Sequence, residues 1–340
     1  MTVQKHLGEQ SVRFEKPPTI LSAASIVGPK EGKGPLASYF DLILDDILWG
    51  EDTWEKAETK LLKEAIQQAV SNAKINMEQI QYILAGDLLD QLIATTFAMR
   101  ELKRPFLGLY GACSTMAESM ALGAMMIDGG YADYIVGATS SHHSSAEKQF
   151  RSPLQLGTQR PLTASWTVTG SGAVVLSKKG TGPYITYATI GKVVDFGIKD
   201  PMNMGASMVP AAVDTMIQHF IDTNRKPEDY DLIVTGDLGS VGKQLVIEMA
   251  NEQGYDLSKN YTDCGVEIFD ADTQDTHAGG SGCACAGVTF TGYILKEMQK
   301  ETFKKVLFIP TGALLSPLST QQGESIPGIA HAVVIESSLE

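Results

Sequence analysis

The chain has 340 residues, 27 basic and 40 acidic, with a net charge of −13, 43% hydrophobic and 20% charged residues. This is the make-up of a globular protein with a large core, and the acidity without any Lys/Arg block argues against a nucleic-acid surface, so no nucleic-acid partner is expected. No apolar run reaches the roughly 18 residues of a bilayer span, "MTVQKHLGEQSVRFEKPP" lacks the apolar core of a signal peptide, and four cysteines without a C-x-x-C pair fit neither a disulfide framework nor a zinc site.

In chain order, the first predicted element is a strand in "TILSAASIVGPKEGKGP" (19–35) that runs into a Gly/Lys/Pro loop. Next, "AETKLLKEAIQQAVSNAKINMEQIQYILAGDLLDQ" gives an amphipathic helix and a strand ending in Gly-Asp-Leu at Asp87. "GACSTMAESMALGAMMIDGGYADYIVGATSS" then gives a turn at Cys113 and a helix of small and apolar residues. A buried strand follows, ending at Ser140, Ser141 and His142. A polar excursion (146–167) carrying Arg151, Arg160 and Trp166 precedes the closing strand "TVTGSGAVVLSK". Most of it reads as a solvated loop; the alternative is a loop that covers a pocket or meets partners.

After the linker "SKKGTGP" (177–183) the series starts again. "YITYATIGKVVDFGIKDP" (184–201) matches the opening strand. "AAVDTMIQHFIDTNRKPEDYDLIVTGDLGSV" matches the helix and strand, with Asp237 as the counterpart of Asp87. "GGSGCACAGVTFTGYILKEMQKETFKKVLFIPTGALLS" matches the Cys113 segment, and "IPGIAHAVVIESS" the closing strand. Alternating strands and helices predict an α/β fold with mostly parallel sheets covered on both faces. The halves, 1–180 and 181–340, are expected to form one compact unit about a pseudo-two-fold axis. Ligands are expected outside the carboxyl ends of the strands.

Cys113 stands at the start of a buried helix, where N–H groups and the macrodipole favour negative charge. Two roles are open: a thiol activated by that field, or a turn that holds a ligand carboxylate. A nucleophile needs a base within reach. His142 and His143 follow a strand end. His277 precedes "AGGSGCAC". His6, His219 and His331 lie in the N-terminal arm, on a helix and in the closing strand.

With the repeat, the central helix and Cys113, the chain resembles the thiolase superfamily, which implies an αβαβα layering of two pseudo-two-fold-related halves. In the ketoacyl synthase III branch the second half supplies a His and an Asn to the reaction. The corresponding stretches here are "VTGDLGSVG" (234–242), without His, and "AGGSGCACAG" (278–287), without Asn. Losing one preorganised donor costs about a hundredfold or more in rate, so Claisen chemistry is not expected.

"AGDLL", "GACSTMAES", "ATSSH", "AEKQFRSP", "TVTGSGAVV", "TGDLGSVG", "AGGSGCAC" and "TGALLSP…ESIPGIAHAVV" carry a second resemblance, spanning residues 12 to 337, to the stage V sporulation AD family. It implies a non-catalytic thiolase-like protein that binds dipicolinic acid (pyridine-2,6-dicarboxylate), as such or as its calcium chelate. It also implies membrane-embedded partner subunits of the spore dipicolinate channel, peripheral association with the spore inner membrane, and a homodimer.

The expected ligand contacts are the helix starts at Cys113, Ser114, Ser281, Gly282 and Cys283. Donors would come from Ser140, Ser141 and His142, and an opposite wall from Gly312 and Ala313. Asp87 and Asp237 would lie near the ligand, Asp87 touching a calcium ion brought by it; no resident metal or cofactor is expected. Two other readings are an acyltransferase that uses Cys113 with His142 as base, and a scaffold with a vestigial pocket.

Overall fold

The computed structural model describes residues 4–150 and 160–339. Arg151 and residues 152–159 of the polar stretch lie outside the described residues.

The first half is built from β1 (Thr19–Val27), α1 (Trp54–Asn72), β2 (Tyr82–Gly86), α2 (Ile93–Leu102), β3 (Phe106–Gly108), α3 (Thr115–Asp128), β4 (Tyr134–Ser141), α4 (His143–Phe150) and β5 (Gly170–Ser177). The second half contains β6 (Tyr184–Thr189), α5 (Met204–Thr223), β7 (Leu232–Thr235), α6 (Gly239–Glu252), β8 (Tyr261–Asp263), α7 (Cys283–Val288), β9 (Lys305–Ile309) and β10 (Ala332–Glu336). A π-helical turn, Thr289–Ile294, carries α7 onward to Gln299.

The strand order is β3-β2-β4-β5-β1 in the first half and β8-β7-β9-β10-β6 in the second. In each half three strands run parallel, and the last two are antiparallel to their neighbours. Even the irregularities correspond: β1 shifts register between Ile20 and Ser22, and β6 between Ile185 and Tyr187. Among the described residues the two sheets pair edge to edge at Tyr184 and Thr19. A short N-terminal hairpin laid against β6 extends that seam.

The layers follow from which faces are apolar. α1 presents Leu61, Leu62, Ala65, Ile66 and Ala69 to the outer face of the first sheet. Thr53 caps its N-terminus, its hydroxyl accepting from the Lys56 N–H. α5 packs Met208, Ala212 and Met216 into a separate core on the second sheet. Between the sheets run α3 and α7. Met116, Ala117, Met120, Ala121 and Ala124 of α3 are all fully buried, since this helix meets strands of both halves. Small residues allow the close approach: a Cβ on Gly172 of β5 would lie 2.5 Å from the backbone of Gly287. Beyond it, Phe290 stacks on Phe308 of β9 with ring centroids 4.6 Å apart.

This is an α/β arrangement of five layers, helices outside and between two mixed sheets. Among the described residues no helix is long and apolar enough to cross a membrane.

Candidate functional site

The Cys113 turn is where the two halves press together. Gly111 leads into a 3₁₀ turn, Ala112–Ser114, from which α3 departs. Ala112 has φ +48°, a left-handed conformation that costs an L-residue about 1 kcal/mol or more. Contacts from the second half hold it there. The Cys283 thiol donates to the Ala112 carbonyl at 3.0 Å. A Cβ at Gly312 would fall 2.2 Å from the Gly111 oxygen, so only glycine lets the two backbones meet.

The single Cys113 thiol proton lies between two acceptors, the Cys283 sulfur and the Asp237 carboxylate. The bond with Cys283, burial and the nearby Asp237 charge together push its thiol well above the usual range. Burial raises Asp237 to about 6, against the pull of hydrogen bonds from Cys113, Gly282 and Thr311. Its Oδ1 accepts from Thr311 Oγ1 at 2.9 Å; its Oδ2 accepts from the Gly282 N–H at 3.0 Å and Ser281 Oγ at 3.2 Å. Of the two roles open to Cys113, the activated thiol is therefore the one not favoured. A neighbouring carboxylate and a dry site outweigh a dipole worth about 1 kcal/mol.

Among the described residues no histidine lines this site. His142 is fully buried: Nδ1 accepts from the Ser144 N–H, and Nε2–H donates to the Ile47 carbonyl at 2.8 Å. Burial also lowers its pKa. It is neither the donor nor the base expected at the pocket, because the Ile47 carbonyl draws its ring away. His219 sits between Thr189 and Tyr230, and burial lowers it to about 3. His331 accepts from the Gly191 N–H, and His277 is paired with Asp275 and the Pro161 carbonyl. His143 stacks on Trp166.

A cleft opens beside Cys113. Its walls are Leu88, Tyr110, Ala146, Glu147, Phe150 and Thr167 from the first half, and Pro201, Met204, Met208, Ser281, Ala313 and Leu315 from the second. The space within it open to the centre of a water-sized sphere is about 50 Å³. The cleft is a thin, mainly apolar slot whose polar points are Tyr110, Cys113, Glu147, Thr167 and Ser281, and no Lys or Arg lines it among the described residues.

Of the residues expected at the ligand, Cys113, Ser281 and Ala313 face this cleft. Asp237, Gly282, Cys283 and Gly312 form the layer behind them. The others are turned elsewhere. The Ser114 hydroxyl bonds the Gly111 carbonyl at 2.6 Å. Ser140 donates to Glu58, on the far side of the sheet. Ser141 donates to the Val168 carbonyl and accepts from the Ala284 N–H. Asp87 accepts from the Leu89 N–H with one oxygen, and from the Thr95 N–H and hydroxyl with the other. It closes the start of α2 and offers nothing to a calcium ion. The two helix tips do meet, but they touch each other, so the open space lies to one side of them and not between them.

The apolar walls were missed by sequence reasoning. Leu88, Phe150, Met204, Met208 and Leu315 carry no reactive group, and nothing in their local pattern sets them apart from core residues. Among the described residues no group of three His, Cys, Asp or Glu side chains is placed to hold a metal.

Residues 8–336 match the family model described as stage V sporulation protein AD. Stage V sporulation protein AD of Bacillus subtilis (strain 168) is 46% identical over 332 residues, 98% of each chain. Among solved structures, a variant of OleA from Xanthomonas campestris superposes with a TM-score of 0.64 at 14% identity, covering 95% of this chain and 97% of that one. 3-Oxoacyl-[acyl-carrier-protein] synthase III from Aquifex aeolicus VF5 gives 0.56 at 13% identity, covering 94% and 99%. The fold is thus thiolase-like, and the chain belongs to the stage V sporulation protein AD family.

Proposed function

We propose that this chain is a non-catalytic member of its fold, which binds dipicolinate in the cleft beside Cys113 and serves a spore-membrane complex that moves this compound. The observation that carries the reading is the Cys113 thiol, held between Cys283 and Asp237 with no imidazole among the described residues that line the cleft. Moving the Cys113 proton to Asp237 is steeply uphill, since the acid titrates near 6 and the thiol well above 9. A Claisen or acyl-transfer step needs the thiolate.

The slot suits a flat ring, with Phe150, Met204, Met208 and Leu315 for its faces and Thr167 and Tyr110 for its carboxylates. An unpaired dianion is costly in such a place. Without Lys or Arg in the described lining, the calcium chelate, neutral overall, is the favoured guest. The ion comes with the ligand. The open edge of β3, with Leu107 at 49% exposure, is the face on which a second copy would extend the first sheet into a homodimer.

The test is calorimetric titration with pyridine-2,6-dicarboxylate, with and without Ca²⁺, on the parent chain and on Met204→Trp, which fills the slot. Heat of binding that strengthens with calcium and is lost in the variant is the expected result. No heat under either condition, or equal binding by Met204→Trp, refutes the ligand assignment. Acyl mass on Cys113 after incubation with an acyl thioester refutes the non-catalytic one.

A further inference from the structure

Large apolar side chains stand in water on the segments that frame the cleft. Phe196 is 67% exposed, Leu318 64%, Leu162 80% and Val193 56%. Each belongs to a stretch that leads directly to the lining: Phe196 to Pro201 and Met204, Leu318 from Ala313 and Leu315, Leu162 to Thr167.

Hydrogen bonds tie these stretches into one surface. Thr163 Oγ1 donates to the Met202 carbonyl. The Ile326 N–H donates to the Ile198 carbonyl, and Val194 and Gly328 exchange both backbone bonds. Lys199 Nζ reaches the Gly323 carbonyl, and Ser325 donates to Asp195. The exposed apolar groups are therefore presented by fixed backbone, which lowers the ordering cost of docking.

The charges among them lean one way. Asp195, Asp200 and Glu324 are exposed on the same segments; among the described residues of these stretches Lys199 is the base outside an ion pair, because Lys192 is paired with Asp214 and Arg160 with Asp275. A chain of net charge −13 is repelled by an anionic lipid leaflet. Apolar groups within an acidic border fit a protein surface of opposite sign.

We propose that Phe196, Leu318 and Leu162 form the docking face for a protein partner that presents an apolar hollow bordered by Lys or Arg. Because this face surrounds the cleft, the bound partner covers its mouth and controls what enters. The inference holds whatever ligand the cleft takes.

The experiment places a photo-cross-linking benzoylphenylalanine at position 196 or 318 of the full chain in sporulating cells. Positions 131 and 221 serve as controls, since Tyr131 and Ile221 are equally exposed elsewhere. The expected result is one and the same protein adduct at 196 and 318, absent from the controls. Its cross-linked peptide carries apolar and basic residues, and its yield falls at least ~10-fold when Glu324→Lys is added. Flotation with phosphatidylglycerol and with phosphatidylcholine vesicles runs in parallel, and none is expected. An adduct with a second copy of this chain, flotation with either vesicle, yields equal to the controls, no adduct, or indifference to Glu324→Lys would each overturn the proposal.

Discussion

Asp87 and Asp237 follow the second strand of each half, and both are buried, yet they do different work. Asp87 is surrounded by fixed donors, the N–H groups of Leu89 and Thr95, with the Thr95 hydroxyl added. Asp237 takes one N–H, from Gly282, and otherwise side chains that can turn: Ser281, Thr311 and Cys113. The duplication supplied equivalent positions. One became a helix cap, closed within its own half. The other became the joint between the halves, one layer behind the cleft.

The comparison breaks most sharply in Asp87→Ala. Two buried N–H groups lose their partners, at about 1–3 kcal/mol each, so the variant should lose about 4 kcal/mol in denaturant melts. Asp87→Asn cannot repair this, because its NH₂ would face one of the two N–H groups. Asp237→Asn can turn its oxygen toward Gly282 and Ser281 and offer its NH₂ to the Thr311 oxygen, so it should fold near parental stability. Equal losses at the two positions would show that the two aspartates are not distinguished by their donors.

That difference marks how far the sequence could be read. The repeat, the paired aspartates and the turn at Cys113 were legible, because strands rich in Val, Ile and Leu and Gly-containing turns recur in the same order. What each aspartate does was not. Thr95 lies eight residues from Asp87, whereas Thr311 lies 74 from Asp237 and is brought to it only by the fold. Ser140, Ser141 and His142 were placed near the pocket from their position after β4. Which side of the sheet each faces was decided by Glu58, Val168 and Ile47, partners that no local pattern reveals. The cleft walls are apolar, and an apolar residue lining a cleft has the same sequence signature as one in a core.

A pH series sharpens the contrast. Burial raises Asp237 from 3.8 to about 6. Between those values the folded chain holds a proton that the unfolded chain has lost, so stability falls as pH rises. It is fully present below about pH 4, and the loss is complete above about pH 6, amounting to about 3 kcal/mol. Asp237→Asn removes this contribution. Its stability relative to the parent should rise by that amount from pH 4 to pH 7 and then stay level. Glu31, raised to about 7 by burial, contributes the same slope to both chains and cancels in the difference. A flat difference would mean that Asp237 titrates normally and the site is wetter than the geometry implies.

The smallest effect concerns Cys113. Of the four cysteines it is the one that lines the cleft, so a small alkylating agent maps to it by mass. With the thiol held up by Cys283, burial and Asp237, iodoacetamide at pH 8 should react at least ~10-fold more slowly than with an unstructured cysteine peptide. Asp237→Asn takes away the nearby negative charge and should speed the reaction several-fold. Asp87→Asn, assayed where it remains folded, should leave it unchanged, since that carboxylate faces α2. A parent rate equal to the peptide's would mean that thiolate is available after all, and the joint between the halves would then be a nucleophile waiting for an acyl donor.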